Sequence, residues 1–258
     1  MCKKTPEEIE LGNKQAELAA LETELTEREL HLATLQARLH TFERDYLRVV
    51  GVRYAKLDEI EAEIAKHLAF LNPSDSKARK QAFLAWEKAN ASKRAVSGII
   101  TASIASKEFN AGESLKKLYR EVAKRIHPDL ATDEVERLRR QKLMAEVNQA
   151  YENGDKRRLE EILEQWEHSP EFVKGEGIAA ELIRIIRKLA QVRERLQAIQ
   201  LEIDTLKQSA LYLLREKVIY AKIAGQDLLS EMATQINKKT ARATAWLEKL
   251  RVNVGACA

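Results

Sequence analysis

Cysteine is nearly absent from this chain, with two in 258 residues, Cys2 and Cys257, at opposite ends and without CxxC spacing. That excludes a zinc module, offers no disulfide framework and fits a reducing compartment. Proline and glycine are scarce as well, four and nine residues, so the chain has few places to turn. Aromatic residues make up 5%, and no aromatic-basic groove for stacking bases is legible. Long apolar runs are missing too. The longest weakly polar stretch, SGIITASIA at 97–105, falls far short of the roughly 20 residues that span a bilayer. The opening MCKKTPEEIE has no apolar stretch of the kind a secretory signal needs, and the expectation is a soluble cytoplasmic protein with no membrane partner.

Charge and helix formers are what the chain has in quantity: 33% charged and 45% hydrophobic residues. This is the profile of an all-α protein rich in coiled coil. Basic residues exceed acidic ones by 44 to 40, and the two signs are interspersed, so the net +4 describes a solvated helical surface and does not call for nucleic acid.

Thr5-Pro6-Glu7-Glu8 places a capping hydroxyl, a proline at the first helical position and two carboxylates at the positive end of a helix. No proline follows until Pro73. In between, Leu11, Leu18, Leu25, Leu32, Leu39 and Tyr46 recur every seven residues, with Leu21, Leu35, Phe42 and Val49 three positions later, a heptad seam with apolar a and d. The phase then moves to Val50, Leu57, Ile64 and Leu71, with Ile60 at d, a four-residue insertion that locally unwinds a supercoil. The expected organisation is an N-terminal coiled coil over 1–71, a connecting helix over 77–109, a central module over 113–168, a C-terminal coiled coil over 170–224 and a terminal helix over 226–252. In the second rod, Leu182, Leu189, Leu196 and Ile203 take the a positions and Ile185, Val192, Ile199 and Leu206 the d positions. The two rods either fold back on each other as an antiparallel hairpin or pair with a second copy of the chain; a heptad pattern alone does not choose.

The central module contains the stretch that points to function. From Ser114 to His127, at about 100° per residue, Leu115, Leu118, Tyr119, Val122 and Ile126 share one face, and Lys116, Lys117, Arg120 and Lys124 the other, with Arg125 at the border. Pro128 stops the helix, because it has no N–H and disfavours the α region at His127. His127 and Asp129 are then presented on a turn. Beyond it, Thr132-Asp133-Glu134 starts a second helix whose Leu143, Met144, Val147, Ala150 and Tyr151 supply the apolar partner face. Val135 and Leu138 lie off that face and are expected to project past the hairpin or meet a neighbouring rod.

LKKLYREVAKRIHPD followed by MAEVNQAY resembles the second helix, loop and third helix of the J domain of DnaJ-type co-chaperones. The resemblance covers about a fifth of the chain. It implies that His127, Pro128 and Asp129 engage a DnaK-type chaperone ATPase and stimulate its hydrolysis, with Lys116, Lys117, Arg120, Lys124 and Arg125 making the electrostatic contact; such a stripe speeds and orients association with an acidic groove. The family's first helix is not visible before Asn110, and the stretch ending in SIASKEF is expected to take its place over Leu115, Leu118 and Val122. The Gly/Phe-rich linker and zinc-binding repeat are missing. A coiled-coil scaffold that has kept an inactive J-like fold is the competing expectation.

No nucleophile beside a base, phosphate-cradling glycine loop or cofactor fingerprint is present, so neither enzymatic activity nor a cofactor is expected. His31, His40, His67 and His168 lack metal-ligand spacing, and no metal is expected. Trp86, Trp166 and Trp246 sit among apolar neighbours and are expected in the core.

Overall fold

The computed structural model describes residues 5–100, 111–131, 134–167 and 178–255. The protein is all-α, with no strand among these residues. The helices are α1 (Pro6–Tyr46), α2 (Val52–Leu71), α3 (Ser76–Ile100), α4 (Glu113–Ile126), α5 (Glu134–Glu152), α6 (Lys156–Glu167), α7 (Ile178–Gln208), α8 (Ala210–Ile223) and α9 (Leu228–Gly255). None of them is long and apolar enough to cross a membrane.

Local chemistry sets several of these ends. At the start of α1 the Glu8 N–H donates to Thr5 Oγ1 at 3.3 Å and the Thr5 N–H donates back to Glu8 Oε2 at 2.8 Å, a reciprocal cap with Pro6 in the first turn. Asp155 caps α6 through the Arg158 N–H at 3.0 Å, after a turn in which Gly154 takes a φ of 70°. Gly225, at φ 77°, makes the turn between α8 and α9. Where the heptad phase shifts after Tyr46, the backbone runs through a π-helical turn, Leu47–Gly51.

The chain forms two units. The first joins Met1–Arg38 to Phe109–Ser209, and the second joins Leu39–Glu108 to Ala210–Ala258. In the second, α3 returns antiparallel to α2 through the turn at Asn72-Pro73. The Lys88 ammonium lies 2.8 Å from the buried Asp58 carboxylate, and the Ser92 hydroxyl donates to the same carboxylate at 2.5 Å. α9 packs through Ile236, Leu247 and Leu250 against Val50, Leu57 and Ile64. Gly51 lies under α3: a Cβ there would stand 3.3 Å from the Val96 side chain. The expectation that Trp86 and Trp246 are core residues does not hold, since they are 58% and 48% exposed. The small local core of this unit closes without them, and Trp86 instead lies beside the exposed Phe83.

In the first unit α1 and α7 run side by side. Glu17 pairs with Arg193, and Arg28 donates to Gln200 at 3.2 Å, so both helices advance in the same direction. Neither an antiparallel hairpin nor a second copy is needed for this pairing. Of the expected seam residues, Leu18, Leu25, Leu32 and Leu35 on α1 and Ile185, Leu189, Val192, Ile199 and Ile203 on α7 are buried, while Leu11, Leu21, Leu182, Leu196 and Leu206 are half-buried. α1 has a second buried face, made of Thr26, Glu29, Leu30, Ala33 and Ala37.

Helices α4, α5 and α6 form a three-helix module with its own core. Tyr119, Val122, Ile126, Val147, Tyr151, Leu159 and Ile162 are almost completely buried there, and each large apolar side chain contributes about 1.5–3 kcal/mol by leaving water. Leu30 and Ala33 of α1 belong to the same core. The stretch expected to cover the hairpin, ending in SIASKEF, lies outside the described residues. Within them, α1 contributes to the cover from more than eighty positions upstream. Val135 is 80% exposed and Leu138 51%, so the first turns of α5 do project past the hairpin.

Candidate functional site

The hairpin is locked by its two tyrosines. The Tyr119 hydroxyl donates to Asn148 Oδ1 at 2.8 Å, and its ring centroid lies 4.7 Å from that of Tyr151. The Tyr151 hydroxyl is 2.9 Å from Thr34 Oγ1 on α1. Asn148 and Tyr151 of the NQAY stretch therefore hold α4 in place and tie α5 to α1. Burial holds the Tyr119 phenol well above its ordinary range, so it remains a hydrogen-bond donor at any physiological pH.

Helix α4 ends as its proline dictates. His127 leaves the helix with φ −54° and ψ 133°, its N–H still bonded to the Ala123 carbonyl, and Pro128–Leu130 makes one 3-10 turn. Arg140 of α5 secures this end. Its guanidinium donates to the Arg125 carbonyl at 3.2 Å and to the His127 carbonyl at 3.4 Å, pairs with Glu136 at 2.9 Å and stacks 4.7 Å from the Trp166 ring. Carbonyls left open at the end of a helix are well matched by a cation.

His127 is not presented to solvent; it is 3% exposed. Its Nδ1 accepts the Asp129 N–H at 3.2 Å, which leaves the ring proton on Nε2 to be donated to Glu29 Oε1 at 3.1 Å. The same Glu29 oxygen accepts from Arg195 Nε of α7 at 2.8 Å, and Arg195 reaches Glu202 at 2.7 Å. Burial pushes the Glu29 carboxyl up, but the hydrogen bonds from His127 and Arg195 outweigh it and hold the group below the ordinary value of 4.5. Asp129 behaves oppositely. Burial dominates and raises it, and among the described residues its Oδ2 has no hydrogen-bond partner, with His127 Nδ1 3.7 Å away.

The basic stripe divides into engaged and open residues. Arg120 pairs with Glu27 of α1 at 2.8 Å, Lys116 with Glu113 at 2.9 Å and Arg125 with Glu121 at 3.1 Å. Lys117 and Lys124 are exposed on the outer face. The structure thus brings together His127, Pro128, Asp129 and the α4 cations on one helix and its turn, and adds Glu27, Glu29, Arg140 and Arg195, which the sequence reading did not single out. A signal for some of them was there. Thr26, Leu30, Ala33 and Ala37 occupy heptad positions b and f, which are polar in a simple two-helix rod, and Glu29 and Arg195 occupy e and g, where interhelical ion pairs form.

No family model, curated protein or solved structure matches the chain.

Proposed function

We propose that the protein is a J-domain-like co-chaperone of the cytoplasm, in which the α4–turn–α5 hairpin recruits a DnaK-type chaperone ATPase and stimulates its ATP hydrolysis. The observation that supports this most is the basic amphipathic helix α4 ending at His127-Pro128-Asp129, braced by Tyr119 on Asn148 and by Arg140 on the carbonyls of its last turn. Such a hairpin offers a partner fixed geometry and positive charge at once, which raises the rate and the register of docking on an acidic surface. The heptad helices on either side act as a coiled-coil frame that positions the module or pairs the chain with another.

The burial of His127 favours a second reading, a coiled-coil scaffold whose J-like module is inactive. The two readings separate in one assay: the steady-state ATPase of a DnaK-type chaperone titrated with the full chain, with Glu29→Lys and with His127→Gln. Stimulation that disappears in His127→Gln supports recruitment. Equal stimulation by His127→Gln contradicts the assigned role of the turn, and silence from every form leaves the scaffold.

A further inference from the structure

Two of the residues assigned to the chaperone, His127 and Arg120, are held by other helices of this chain. His127 is buried and bonded to the Glu29 carboxylate of α1, which the Arg195 guanidinium of α7 holds in turn, and Arg120, on the same helix, is paired to Glu27 of α1. We propose that Glu29 and Arg195 form an autoinhibitory latch, holding the His127-Pro128-Asp129 turn closed until it leaves them to meet a partner; this rests on the recruitment reading above.

Three features distinguish a latch from ordinary packing. First, the cover over the turn is ionic. An ion pair with a buried partner is often no more stabilising than an apolar pair of the same volume, and its best-attested use is to specify or switch an arrangement. Second, the closed turn is left unsatisfied. Asp129 Oδ2 is buried with no hydrogen-bond partner among the described residues, a cost that an incoming donor would relieve. Third, the cover is selective. Lys117 and Lys124 remain exposed on the outer face of α4 while His127 is sealed, so an acidic partner can make electrostatic contact before the turn is released. Encounter and triggering are thereby separated on one helix. A chaperone that needs the open turn binds with an affinity reduced by the open fraction, and destabilising the latch removes that reduction.

Glu29→Lys places a cation against Arg195 and next to His127, and Glu29→Gln removes the charge while keeping an acceptor. Neither change touches the residues assigned to the chaperone. With helix content checked by circular dichroism, two readouts are taken on the full chain. One is the rate at which diethyl pyrocarbonate modifies His127 relative to the exposed His31 and His40. The other is the concentration that half-maximally stimulates a DnaK-type ATPase. The latch predicts that His127 reacts slowly in the wild type and as fast as His31 and His40 in Glu29→Lys. It also predicts that the half-stimulating concentration falls by about tenfold or more in Glu29→Lys and by less in Glu29→Gln. Rapid modification of His127 in the wild type overturns the latch. So does a folded Glu29→Lys protein with reactive His127 whose stimulation matches the wild type, an outcome that leaves recruitment standing. Silence from both the wild type and the opened variant removes the recruitment reading and the latch with it.

Discussion

Nε2 of His127 lies 3.1 Å from Oε1 of Glu29, a residue 98 positions earlier in the chain. This hydrogen bond joins the turn to α1, beside the links of Tyr151 to Thr34 and of Arg120 to Glu27, and through Arg195 on the same oxygen to α7. The charge state of Glu29 therefore contributes to how firmly the turn is held.

That dependence has a sign. Glu29 is held below 4.5 in the folded protein, so its contribution to stability is fully present above that value and is lost as the pH falls through the depressed folded value. Urea unfolding of the full chain over an acid pH series is expected to show a loss of stability below pH 4.5 that is smaller in Glu29→Gln. Superimposable acid limbs would show that the contact is energetically silent.

Asp129 gives the reverse. Its carboxyl is raised above 3.8, chiefly by burial, so the ionised form costs stability above the raised value and the cost fades as the pH falls from there toward 3.8. Asp129→Asn is expected to stabilise the closed protein at neutral pH, by about 0.5 kcal/mol for a group that keeps some contact with water. The gain should shrink in acid. A loss of stability at neutral pH would mean that the carboxylate has a favourable partner.

Arg140 is expected to matter for the fold of the module more than any cation of the α4 stripe. Arg140→Met keeps the apolar stem but removes the donors to the Arg125 and His127 carbonyls and the charge over Trp166. A cost of about 2 kcal/mol follows from charged hydrogen bonds of this kind. Lys117→Met, on the exposed face, should cost under about 0.5 kcal/mol. Thermal or urea unfolding of the two variants ranks them, and an equal effect would mean that the helix end is not held by Arg140.

Much of this architecture is legible in the residues themselves. The seam of α1 and α7, the cap at Thr5, the phase shift at the π-helical turn Leu47–Gly51 and the apolar face of α4 all follow from local periodicity and local chemistry. The cover over His127 does not, because it is made by segments far apart in the chain. Heptad spacing states that Leu25 and Leu32 are buried, but not what lies against Glu29 on the flank. Leu30, Ala33 and Ala37 were the available hint: apolar and small residues on the outer side of a rod indicate a second contact without naming it. Trp86 and Trp246 lie outside the core for a related reason. Apolar neighbours at helical spacing make a face, and only tertiary packing decides whether that face is covered.

The central claim is that His127-Pro128-Asp129 acts on a chaperone. The most direct measurement is the steady-state ATPase of a DnaK-type chaperone with full-length Glu29→Lys, in which the turn is released, and with the Glu29→Lys/His127→Gln double variant. The account predicts strong stimulation by the first and none by the second. Stimulation by both, or by neither, would contradict it.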